Sequence, residues 1–448
     1  MTSTSPDELR VLRDATCPAC GLLCDDIRLS CSGDRIIAAD RACDRGRSWF
    51  LGDHRASDLP PASVDGDAAP VASALDRAAS ILVAAKAPVI AGLTSATIES
   101  QSLAALLADR LGATISPDHA PEALPRILAM QRAGAVLASF GEVIHRARVI
   151  LLWGVDPDRS HPRFRERLID RPGRFVPEGR AGRTVLVVDQ GASACRGWAD
   201  GAIAVSEGRH TEAIQALRAA VRGVAADPLR LERQSGTPRD LWHSWADLLK
   251  AAPYGAIVFG TELAREGAAA METLMRLLDD LNTITRCVGV PLAGPGNPSG
   301  AEAVLTGRLG APVSVDLAGG TARYRPSDAE PWTRVRSGEA DAVLVVGDLP
   351  DDLAADRPES VPLIVVGPRA TARAAPGVVA IATATPGIDH GGTFSRSDEV
   401  SLPLRPAIAP DRPPAREVLA SLLDRCETLR AERSLPSLPP SAGAHDAG

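Results

Sequence analysis

From Val71 onward the chain alternates two kinds of apolar spacing. "VASALDRAASILVAA" (71–85) and "SQSLAALLADRLGA" (100–113) repeat their Ala and Leu positions every three or four residues, the spacing of one helix face. Between and after them come short continuous apolar runs: "APVIAGL" (87–93), "RVILLWG" (148–154), "TVLVVDQ" (184–190), "GAIVFG" (255–260), "AVLVVGDLP" (342–350) and "PLIVVG" (362–367). A strand that is apolar at every position, not every second one, is covered on both faces, which is the condition of a parallel sheet between helices. The pattern predicts an α/β fold with doubly wound parallel sheets in two Rossmann-like domains. Several runs end in "WGVDPDRSHP", "FGTELAREG" and "VGDLPDD"; loops at the carboxyl ends of parallel strands line the ligand crevice of such sheets.

The first 59 residues do not follow this alternation and are read as a small cysteine-rich domain. "PPASVDGDAAP" (60–70) reads as a linker. The expected division is 71–145 with 331–425 as one discontinuous α/β domain, 146–330 as an inserted α/β domain, and a Pro/Ser/Ala-rich disordered tail over 434–448.

Composition narrows the function classes. At 448 residues the chain can bury two or three cores, and a net charge of −7 argues against a nucleic-acid surface. No apolar run approaches the roughly 20 residues of a membrane span, and "MTSTSPDELRVLRDAT" has no apolar signal region, so a cytoplasmic protein is expected. All but two of the 49 basic residues are arginine, the exceptions being Lys86 and Lys250; this bias carries no functional weight.

Eight cysteines without an export signal read as reduced thiols, and clustered ones as metal ligands before disulfides. "CPACGLLCDDI" (17–27) and "RACDRGRSWF" (41–50) place Cys17, Cys20, Cys24 and Cys43 in a C-x2-C-x3-C order with the fourth cysteine well downstream. That order favours a 4Fe-4S cluster over zinc, for which two C-x2-C pairs are usual. Four buried structural thiols are the alternative reading. Cys31 fits a short hairpin strand, and Cys195, Cys287 and Cys426 fit core positions.

These four cysteines resemble the N-terminus of the B subunit of tungsten- and molybdenum-dependent formylmethanofuran dehydrogenases, relatives of the molybdopterin-dependent formate dehydrogenases. "WGVDPDRSHPRF" (153–164) and "DHGGTFSRSDE" (389–399) resemble further landmarks of that family. The resemblance implies a 4Fe-4S cluster on Cys17, Cys20, Cys24 and Cys43 and a cleft for two pterin dinucleotides. Arg159, His161 and Arg163, with Gly154, Gly347 and Gly391, could meet their phosphates, although solvent-facing arginines and plain turns explain them as well.

One segment departs from the family. Where a Cys-His-Gly-Pro segment would supply the metal's thiolate or selenolate, this chain has Asp118-His119-Ala120-Pro121. A carboxylate is a harder ligand than a thiolate, so molybdopterin or tungstopterin is expected to be absent and Asp118 and His119 to be vestigial pterin-site residues. The resemblance then implies a non-catalytic scaffolding subunit of a bacterial formyltransferase/hydrolase complex. Such a complex converts formyl-tetrahydromethanopterin to formate through a methanofuran-like carrier in one-carbon metabolism. Its partners would be hydrolase, formyltransferase and third subunits, with neither nucleic acid nor membrane. The alternative is an active molybdenum or tungsten oxidoreductase, a formate or formylmethanofuran dehydrogenase with Asp118 as metal ligand. No catalytic residue stands out, and loss of a large cofactor leads one to expect larger side chains filling its cleft.

Overall fold

The computed structural model describes residues 9–52, 59–225, 227–326, 330–349 and 357–434. The sequence-based tail therefore lies outside the described residues except for Ser434, the last residue of helix Ala415–Ser434.

Five parallel strands form one sheet in the order β10-β9-β8-β11-β12: β8 (Val149–Trp153), β9 (Thr184–Asp189), β10 (Gly201–Ala204), β11 (Gly255–Phe259) and β12 (Cys287–Pro291). Every residue of β8 and β11 is buried, which is why their sequences show no alternation.

The larger sheet has nine strands in the order β14-β13-β7-β6-β15-β16-β17-β4-β5. Its parallel centre is β7 (Thr114–Ile115), β6 (Pro88–Gly92), β15 (Ala342–Val346), β16 (Leu363–Gly367) and β17 (Val378–Ala382). Helix Val71–Ala84 buries Ala74, Leu75, Ala78, Ala79 and Leu82 against this sheet and helix Ala415–Ser434, the face its spacing predicted. On one edge β13 (Val315–Asp316) pairs with β7 and with β14 (Arg323–Tyr324), all antiparallel. These two strands return to the nine-stranded sheet although they fall in 146–330; at two residues each they carry no readable period.

On the other edge, the stretch expected to be a linker is an antiparallel hairpin, β4 (Ala62–Val64) and β5 (Asp67–Ala68), with β4 pairing β17. The reason is its turn. Asp65 and Gly66 both adopt positive φ, 53° and 97°, the conformation that favours Asp-Gly in a two-residue hairpin loop.

The N-terminal strands β1 (Leu9–Ala15), β2 (Ile27–Ser32) and β3 (Arg35–Asp40) form a small antiparallel sheet. Its buried face, with Ile27, Leu29 and Cys31, continues into the core of the five-stranded sheet through Phe164, Ile150, Leu152 and Val258. A last hairpin, β18 (Gly392–Ser395) and β19 (Ser401–Leu404), packs near the cysteine loop, with Phe394 and Leu404 enclosing Leu23. Among the described residues, no helix is long and apolar enough to cross a membrane.

Candidate functional site

A cleft of about 740 Å³ opens at the carboxyl ends of strands from both large sheets. Thr94 after β6 and Asp118 and His119 after β7 line one side, and Phe259 to Thr261 and Pro291 to Pro295 after β11 and β12 line the other. Helices Ala120–Ala133 and Pro298–Leu309 contribute Arg126, Met130 and Glu302. The expected filling by large side chains has not occurred: the cleft stays open, with Gly260, Ala264, Gly294, Ala303 and Gly307 among its lining residues. The volume suits one small ligand.

Asp118 is tied to β6 in both directions. Gly92 N–H donates to its Oδ1 at 2.9 Å, and its own N–H donates to the Gly92 carbonyl at 3.1 Å. Burial pushes its carboxyl up to about 6, against the Gly92 hydrogen bond and the pull of His119. His119 Nε2 donates to Glu302 Oε1 at 3.0 Å, and Arg126 Nη2 grips both oxygens of that carboxylate at 2.6 Å. Burial alone would raise Glu302; Arg126 and His119 outweigh it and hold the carboxyl at about 2. His119 Nδ1 is buried without a hydrogen-bond partner. Sequence reasoning found Asp118 and His119 but not Glu302, which stands 183 residues from His119.

The fold's own rule for ligands points to a second place, the crevice outside the central parallel strands where strand order reverses, here between β6 and β15. Ser95, Gly347 and Thr383, which follow β6, β15 and β17, meet there with Gly367 at the end of β16, Pro386 and His390 and leave about 10 Å³. That is room for about one water. The residues present do not fit a pterin dinucleotide in this crevice.

The four N-terminal cysteines lie together beneath the β1–β3 sheet. Cys17, Cys20 and Cys24 are buried and Cys43 is half-buried. A tight loop closes as Cys17 N–H donates to the Cys24 carbonyl at 2.8 Å, while Cys43 precedes helix Asp44–Phe50. Burial drives the Cys17 thiol well above its ordinary range, and the neighbouring Cys24, Cys20 and Cys43 push the same way. Cys24 is pushed up to about 12 by burial, against Arg167 and Arg163. Zinc at ~2.3 Å would hold its sulfurs about 3.8 Å apart. Among the described residues, the trio with ligand atoms all within 4.8 Å of one another is Asp156, Asp158 and Cys195; no three of the N-terminal thiols meet that spacing. Gly46 leaves the space between them open: a Cβ there would sit 3.1 Å from Cys17 Sγ and 3.9 Å from Cys43 Sγ. The arrangement fits a cluster-type group on Cys17, Cys20, Cys24 and Cys43.

The cysteine loop leans on the cleft wall. A side chain at Gly21 would collide with Ser397 Oγ and the Ala293 carbonyl, at 2.2 and 2.6 Å from its Cβ. Ser397 Oγ donates to the Gly21 carbonyl at 3.0 Å and accepts from Ala293 N–H at 3.0 Å. Two of the residues considered for phosphate are engaged here instead. His161 is buried with Nε2 on the Ala293 carbonyl, and Arg163 is bound to Asp26 and Glu166. Cys31, Cys195, Cys287 and Cys426 are buried, and Cys195 Sγ donates to Asp156 Oδ1 at 3.4 Å.

No protein-family model matches the chain. It is 29% identical over 443 residues to the B subunit of the tungsten-containing formylmethanofuran dehydrogenase 2 of Methanocaldococcus jannaschii, covering 94% of this chain and 100% of that one. It is also 29% identical over 383 residues to the B subunit of the formyltransferase/hydrolase complex Fhc of Methylorubrum extorquens, covering 83% and 98%. Its homologues are the B subunits of these two assemblies. Among solved structures, the Methylorubrum extorquens complex FhcABCD with methylofuran matches at TM-score 0.70 and 27% identity, over 83% of this chain and 99% of that one. That homologue is one subunit of a multi-subunit complex. Acetylene hydratase from Pelobacter acetylenicus matches at TM-score 0.65 and 10% identity, over 93% and 69%, and shares the mixed α/β fold with parallel sheets.

Proposed function

We propose that this chain is the B subunit of a formyltransferase/hydrolase complex of one-carbon metabolism, and that it acts there as a scaffold without a pterin-bound metal. The observation that carries this reading is Asp118, which stands at the wall of the open cleft with its Oδ1 taken up by the Gly92 amide; the crevice between β6 and β15, where about 10 Å³ remains, gives no second place for a dinucleotide. A dinucleotide needs phosphates set against strand-end backbone, and here Ser95, Gly347 and Gly367 already pack on one another. Burial also opposes the ionisation of Asp118, so it is a poor place for a metal ligand.

Hydrolytic release of formate transfers no electrons, so a redox centre in this subunit has nothing to serve. The described parts of the two α/β units and of the small cysteine-rich unit remain as the frame on which hydrolase, formyltransferase and third subunits assemble in the cytoplasm. A 4Fe-4S cluster on Cys17, Cys20, Cys24 and Cys43 would supply folding free energy to the N-terminal unit, as bound metals do in small domains.

The test is co-expression with candidate hydrolase and formyltransferase chains, followed by native mass measurement. One hetero-oligomer containing this chain, with formate release that survives Asp118→Ala, is the expected result. Separate elution of the chains, or loss of formate release in an assembled Asp118→Ala complex, overturns the reading.

A further inference from the structure

Cys24 is followed by two acids, Asp25 and Asp26, and both are gripped by arginines about 140 residues further along the chain. Arg163 Nη1 and Nη2 donate to Asp26 Oδ1 and Oδ2 at 2.7 and 2.8 Å, a parallel two-bond fork. Arg167 reaches Asp25 at 2.6 Å and Asp26 at 2.7 Å. The two arginine side chains are 7% and 15% exposed, so these charges are shielded from solvent screening. They are brought to one side by the segment after β8, where Arg165–Ile169 forms a π-helical turn, a feature that concentrates at functional sites. From the opposite side Arg45, two residues past Cys43, donates to the carbonyls of Arg159 and Ser160 and not to a carboxylate.

Four thiolates on a 4Fe-4S core carry a net charge of −2, and −3 after one electron is added. Burying that charge demands compensation; Arg163 and Arg167 are fixed to Asp25 and Asp26, the two residues after Cys24, in a network of three arginines and three carboxylates that Glu166 on Arg163 and Arg41 on Asp26 complete. We propose that Arg163 and Arg167, held in place by Asp26, are the countercharge of an iron–sulfur cluster on Cys17, Cys20, Cys24 and Cys43, and set both its retention and its potential. This rests on the cluster reading above. Both arginines are positioning residues: they touch Asp25 and Asp26 and no thiol, and they act on the cluster through their charge. A positive charge next to the cluster favours the reduced, more negative state, so its removal lowers the midpoint potential.

The experiment reconstitutes the full-length chain anaerobically with ferrous iron and sulfide. Iron per chain, absorbance near 400 nm and the dye-mediated midpoint potential are then compared for the wild type, Arg163→Gln/Arg167→Gln, Arg163→Lys/Arg167→Lys and Asp26→Asn. The Gln pair is expected to retain less than half of the wild-type iron, and its reduction equilibrium to fall about tenfold, ~59 mV for one electron. The Lys pair keeps the charge and holds the potential near the wild-type value. Asp26→Asn removes a negative charge at the same spot and moves the potential upward. A merely structural role would lower iron in all variants without shifts of opposite sign, and that result overturns the proposal, as does a fully loaded Gln pair at the wild-type potential. A wild type that takes up no iron overturns the cluster reading itself.

Discussion

Replacing Asp118 by Asn separates a half-buried acid from a metal ligand. The Asp118 carboxyl is held at about 6 by burial, against an ordinary 3.8. The folded state therefore binds its proton more tightly than the unfolded chain does. The stability this contributes is fully present below about pH 4 and is lost as pH rises through 6. Above that, an ionised carboxylate sits half-buried at the cleft wall, accepting a hydrogen bond from the Gly92 amide. The difference between 6 and 3.8 corresponds to about 3 kcal/mol at 1.36 kcal/mol per pH unit. Asn keeps the shape and can still accept from Gly92 N–H, but never ionises. Asp118→Asn should thus stabilise the protein by about 3 kcal/mol at pH 8, roughly half that at pH 5, and about 0.6 kcal/mol at pH 4. At ~2.1 cal/mol/K of unfolding entropy per residue, which over 448 residues is about 1 °C per kcal/mol, thermal unfolding at pH 8 should move up by roughly 3 °C. Differential scanning calorimetry of the purified chain across that pH range reads it. An Asn variant that is less stable than wild type at pH 8, or a gain that does not change with pH, refutes the reasoning; the first result is what loss of a metal from Asp118 would give.

Other parts of the structure yield further expectations. Glu302→Gln leaves Arg126 without its carboxylate partner beside the cleft and should cost about 3 kcal/mol or more in urea unfolding at pH 7; an unchanged midpoint would show that the Arg126–Glu302 pair contributes nothing. Gly46→Ala puts a methyl group 3.1 Å from Cys17 Sγ and should abolish iron uptake while leaving the nine-stranded sheet folded, read as iron per chain and far-ultraviolet circular dichroism. Cys20→Ala should loosen residues 15–52 selectively in hydrogen exchange if a cluster is loaded, whereas equal exchange in variant and wild type would mean that no cluster supports this unit.

The sequence made legible what depends on local spacing. The continuous runs that became β6, β8, β9, β11, β15 and β16 are strands because both of their faces are covered, and that condition leaves its mark residue by residue. The cysteine order and the Asp118-His119 pair were visible for the same reason. Missed elements carry weaker local signals: β4 and β5 lie in a Pro/Gly-rich stretch whose Asp-Gly turn was read as a linker, and β12 is a short run, "CVGVP", interrupted by glycine. The chemistry around the sites is legible only in three dimensions. Glu302 meets Arg126 across 176 residues, Asp26 meets Arg163 across 137, and Ser397 meets Gly21 across 376. Nothing in the periodicity around any of these side chains points to its partner. The closure of the crevice between β6 and β15 is likewise a property of Ser95, Gly347, Gly367 and His390 together.

The most direct measurement is the molybdenum and tungsten content of the native complex, by elemental analysis per copy of this chain. A scaffold without a pterin-bound metal gives neither metal above trace levels while formate release proceeds. One molybdenum or tungsten per chain, accompanied by extractable pterin, contradicts it and makes the chain an oxidoreductase subunit.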